Sequence, residues 1–100
     1  DLDLVSFSNK RVVKHFMTID EKDSYDFSNN MDVLIYDFNR LYRQTKLKPK
    51  LKEIAEMIRA GYQQKQIASK LGITQQQVSK YYNQIAEEIT KQNIKNMKTP

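Results

Sequence analysis

Gln64-Gln-Lys-Gln-Ile-Ala-Ser-Lys-Leu-Gly-Ile-Thr-Gln-Gln-Gln-Val-Ser-Lys-Tyr-Tyr-Asn83 is the stretch whose reading decides the fold. It divides into two short helices around a tight turn. The first covers about Gln64 to Leu71, and Gly72 can take a positive φ at its end without steric cost. Thr74 stands where a hydroxyl can cap the second helix. Ile67, Leu71, Ile73, Val78 and Tyr81 supply apolar contacts between the pair, with Ala68 small where the axes approach. The outward positions of the second helix are Gln75, Gln76, Gln77, Ser79, Lys80, Tyr82 and Asn83. That face carries amides, hydroxyls and a cation, and no carboxylate.

This segment resembles the helix-turn-helix of bacterial transcription regulators, through the spacing of Ala68, Gly72 and Val78. The longer run from Leu47-Lys-Pro49 to Ile89 looks like region 4 of sigma factors and like related phage regulators. The resemblance implies a helical bundle whose second motif helix lies in the major groove of double-stranded DNA. The residues fit that role, since Gln and Asn can pair bidentately with adenine. Gln75, Gln76, Ser79, Lys80 and Asn83 are therefore the expected base contacts. Lys65, Lys70, Thr74 and Tyr82 are the expected phosphate contacts. Gln77 points between the reading face and the helix partner and ranks below them.

Charge is distributed unevenly. From Asn39 onward thirteen Lys and Arg face four Asp and Glu, whereas up to Phe38 four bases face eight acids. A basic half that contains the motif is the electrostatic footprint of a nucleic-acid binder. The chain lacks Cys, which excludes disulfides and thiolate metal sites and suits a cytoplasmic protein. No apolar run approaches the length of a membrane span, so no membrane partner is expected. The sequence opens at Asp1 and not at Met, as a fragment or a processed protein does.

Working outward, Ser28, Asn29 and Asn30 offer a cap for a helix from about Met31 to Gln44. Its stripe of Met31, Leu34, Ile35, Phe38, Leu41 and Tyr42 repeats at helical spacing and reads as core. Pro49 suits the first turn of a further helix, which buries Leu51, Ile54, Ala55 and Ile58 and stops at Gly61. The helix of the motif's second half is expected to run to about Gln92 through Ile85, Ala86 and Ile89. Beyond it a basic tail with Ile94 and Met97 either frays or docks on a partner. Residues 28–100 are thus expected to form the helical DNA-binding domain, with the motif at about 64–83.

Residues 1–27 read as an acidic appendage. The β-branched and aromatic residues from Val12 to Ile19 favour a short hairpin with a turn at Ser8-Asn9-Lys10. Val12, Val13, Phe16 and Met17 also fit one face of a short helix starting after Asn9. Asp20, Glu21, Asp23 and Asp26 lack the alternating ligands, central Gly and closing Glu of a calcium loop, so a solvated linker is expected and no metal.

The fold class is accordingly mainly α, a helical bundle containing a helix-turn-helix, with the N-terminal hairpin as its β element. His15 is the sole histidine and no phosphate-binding glycine loop exists, so neither an enzyme nor a cofactor is expected. The leading function is sequence-specific double-stranded DNA binding in transcription regulation. By resemblance, two others stand beside it: the DNA-recognition module of a phage terminase small subunit or recombinase, and an adaptor gripping RNA polymerase or an anti-sigma-like partner. With no sustained heptad after Ile89, a monomer is expected in isolation.

Overall fold

A computed structural model describes residues 7–18 and 31–98. These residues form five helices and no strand: α1 (Lys10–Met17), α2 (Met31–Gln44), α3 (Pro49–Arg59), α4 (Gln64–Leu71) and α5 (Gln75–Lys98). The fold is organised around α5, which touches all four of the others. Val78, Ile85, Ala86 and Ile89 repeat at helical spacing along it and are completely buried. Against them lie Ile54, Ala55 and Ile58 of α3, Ile67 of α4, Phe38 and Leu41 of α2, and Val13, Phe16 and Met17 of α1.

The N-terminal hairpin is not formed. Residues 10–17 are helical, and Asn9 caps them by accepting the Arg11 N–H at 2.9 Å. Val13, Phe16 and Met17 fall on one face of that helix and are buried at 0, 5 and 1% exposure. Burial is the reason for the difference. β-Propensity reflects how a side chain packs on a half-buried surface more than any backbone preference, and here the available surface is made by α5 with α2 and α3. Phe7 adds edge-on contacts to Phe16 and Phe38, with ring centroids 5.1 and 5.6 Å apart. Thus α1, inside the stretch set apart as an appendage, shares the core of the motif helices. The acidic run at 20–26 and residues 1–6 lie outside the described residues.

Pro49 opens α3 as its fixed φ allows, and Gly61 takes φ +98° where the chain leaves that helix. Between α2 and α3, Tyr42 donates its hydroxyl hydrogen to the Glu56 carboxylate, and Arg59 bonds to Asn39. The Arg59 guanidinium lies 4.5 Å from the Tyr42 ring centroid, with the Lys52 ammonium at 4.5 Å as well. Burial, and then the adjacent Glu56 carboxylate, hold the Tyr42 phenol well above its ordinary pKa. This cluster fixes α2 on α3 behind the motif.

The last helix runs further than its sequence indicates, to Lys98 and not to about Gln92. Polar side chains of α5, of α2 and of the turn before α1 anchor the extra turns. Asn93 donates to Ser8 Oγ at 3.0 Å, Asn96 donates to Gln44 Oε1 at 2.8 Å, and Gln92 pairs with Asn96 at 3.0 Å.

Candidate nucleic-acid interface

The turn between α4 and α5 is built by local chemistry. Gly72 adopts φ 68°, ψ 33°, the left-handed conformation that reverses the chain at a helix end. Its N–H and that of Ile73 both return to the Ala68 carbonyl. Thr74 and Gln77 then satisfy one another across the first turn of α5. The Thr74 N–H donates to Gln77 Oε1 and the Gln77 N–H to Thr74 Oγ1, each at 3.1 Å. This reciprocal cap occupies the Gln77 amide oxygen and explains why Gln77 belongs to the turn. Gln66 does the same for α4 by accepting the Gln63 N–H at 2.8 Å.

The outer face of α5 follows from about 3.6 residues per turn. Gln76, Lys80 and Asn83 line a single ridge opposite the buried Val78 and Ile85. Gln75, Gln76 and Lys80 are exposed, while Ser79 and Asn83 are half-buried on the flank towards α1. Glu87 follows on the same ridge one turn beyond Asn83, so the acid-free portion is the first nine residues of the helix, roughly 13 Å. No carboxylate occurs anywhere from Met57 to Ala86, whereas Arg59, Lys65, Lys70 and Lys80 do. The turn and the start of α5 therefore carry lysines and amides with no carboxylate in their own stretch of chain. An amide-rich ridge in positive potential has the hydrogen-bonding groups to read base edges and the charge to hold phosphates.

Lys70 and Thr74 are exposed beside the turn and Lys65 is exposed at the start of α4, with Lys70 drawn over the Tyr62 ring at 5.4 Å from its centroid. Tyr82 is placed differently from the other expected phosphate contacts. It is half-buried, and its hydroxyl hydrogen goes to the Lys14 carbonyl at 2.8 Å. Burial raises its pKa. Its donor is committed to joining α5 to α1, and this partner lies 68 positions away in the chain, beyond the reach of any local pattern. α1 is a neighbour of the reading helix that sequence pattern does not reveal: Lys10, Arg11 and Lys14 have no acid among them, but this signal disappears when charge is averaged over the first 38 residues.

Among the described residues no helix is long and apolar enough to cross a membrane, and no three His, Cys, Asp or Glu side chains converge as metal ligands would. Residues 49–95, covering α3, α4 and most of α5, match a family model described as helix-turn-helix. No curated protein and no solved structure matches the chain.

Proposed function

We propose, from the match of residues 49–95 to a helix-turn-helix family model, that this protein binds double-stranded DNA sequence-specifically and regulates transcription. Its regulator class is that of sigma region 4 and similar phage proteins. The start of α5 enters the major groove. Gln75, Gln76 and Asn83 pair with base edges there, and Ser79 and Lys80 contact bases from the same ridge. Lys65, Lys70 and the Thr74 hydroxyl hold phosphates on either side. The observation that carries this reading is the ridge of exposed Gln76 and Lys80 with half-buried Asn83, in a stretch of chain from Met57 to Ala86 that holds no carboxylate.

Selection of preferred duplexes from random DNA tests it. A recovered consensus supports base readout, and Gln76→Ala should then weaken that duplex by about 1–3 kcal/mol while weakening random duplex far less. Recovery of no consensus, or equal losses on both DNAs, would remove base readout from the ridge.

A further inference from the structure

We infer that α1 is a second DNA-binding element, whose Arg11 and Lys14 grip the phosphate backbone alongside the groove that α5 reads. The inference rests on the reading of α5 given above and extends it to a part of the chain outside the matched residues 49–95. Three observations carry it.

First, α1 is basic on its outer surface. Arg11 and His15 are exposed, Lys14 is half-buried, and the helix contains no acid. The ion pairs Lys52–Glu56 and Lys91–Glu88 involve neither Arg11 nor Lys14, and the α1 base that shares a cleft with Glu87 is Lys10, at the start of the helix.

Second, the placement of α1 is fixed relative to the reading ridge. Its start meets the far end of α5, where Ser8 accepts from Asn93 at 3.0 Å. Its last turn meets Tyr82, through the 2.8 Å bond to the Lys14 carbonyl and the Lys14 ammonium 5.3 Å from the ring centroid. α1 therefore runs antiparallel to α5 and delivers its C-terminal turn beside Asn83. At about 3.6 residues per turn, this is the flank of the ridge on which Ser79 lies.

Third, the same turn adjoins the start of α4. Thr18, Gly61, Tyr62, Gln63, Gln64 and Tyr82 surround one cleft of about 380 Å³. In a helix-turn-helix the first motif helix crosses the DNA backbone, so α1 and α4 present their charge to the same strand. The opposite flank is a weaker candidate. There Lys46, Lys48 and Lys50 share a cleft with Glu87 and Glu88, which offset their charge.

The salt dependence of binding tests the inference on the full chain. Each phosphate contact contributes a slope of about −0.9 to log K against log salt, which amounts to roughly eightfold in affinity at about 0.1 M. Fluorescence anisotropy with a random duplex is measured for wild type, the exposed-site variant Arg11→Gln and the double variant Arg11→Gln/Lys14→Gln. Thermal melting is followed in parallel. The expected result is a shallower slope by about one for the single variant and about two for the double, with Arg11→Gln melting like wild type. Lys14→Arg alone, which keeps the charge, should keep the wild-type slope. Wild-type slope and affinity in a folded Arg11→Gln and in the double variant would overturn the role of α1 while leaving α5 in place. Absence of wild-type binding at low salt would overturn the reading of α5 itself, and this inference with it.

Discussion

Gly72 is the position at which a single β-carbon tests how the motif is built. An L residue forced into the left-handed conformation costs roughly 1–2 kcal/mol, and Gly72 holds φ 68°. A Cβ added there meets nothing within 4 Å, so Gly72→Ala carries no clash and its whole cost is conformational. The smaller entropy of the unfolded alanine chain offsets part of this, since that effect is worth about 0.4–1 kcal/mol. The net expectation is a loss of about 1 kcal/mol, or roughly 4–8 °C in melting temperature for a domain of this size. Gly72→Asn should lose less than half as much, because Asn enters the left-handed region readily. Urea unfolding followed by far-UV circular dichroism measures both, and a lower midpoint at unchanged m-value is the expected signature. Equal losses for Ala and Asn, or none for either, would refute the claim that backbone conformation at Gly72 sets the turn.

The remaining stability expectations follow from burial. Ile85→Ala removes a side chain with no exposure at the junction of α5 with its neighbours. It should cost about 2–5 kcal/mol, a large share of the 5–15 kcal/mol or so that a domain possesses, and a melt at half the urea range shows it; a loss under about 1 kcal/mol would deny α5 its central place. Tyr42 titrates above its ordinary value of 10 because it is buried and bonded to Glu56. Its contribution is fully present below pH 10 and is lost as pH rises past that value towards the raised folded pKa, because the unfolded chain gives up the proton first. Tyr42→Phe should therefore melt below wild type at pH 7, with the gap narrowing above pH 10; a constant gap would mean that the phenol does not titrate in this setting.

Where sequence and structure agree, local chemistry dictates the outcome. The Met31–Gln44 helix, the Pro49 start, the Gln64–Leu71 helix and the left-handed Gly72 all follow from side-chain periodicity and from residues with one strong backbone preference. The exposure of Gln75, Gln76 and Lys80 follows in the same way, because a helix that buries Val78 and Ile85 must turn those residues outward. The failures are all long-range. Residues 10–17 are short, and their β-branched and aromatic side chains favour a strand, but the apolar surface of α5, α2 and α3 decides for the helix. The last turns of α5 are held by Ser8 and Gln44, distant in sequence. The Tyr82 hydroxyl has an equally distant partner in the Lys14 carbonyl, a contact between two helices that no local pattern reveals.

Amide chemical shifts recorded while a duplex is titrated into the labelled protein at low salt give the most direct view of the reading surface. The expected perturbations cluster at Gln75, Gln76, Ser79, Lys80 and Asn83 and at the start of α4, while the outer face of α2 around Val33 and Tyr36 stays unshifted. Shifts centred on α2, or no shifts at any residue of α5, would contradict the assignment of this ridge to DNA.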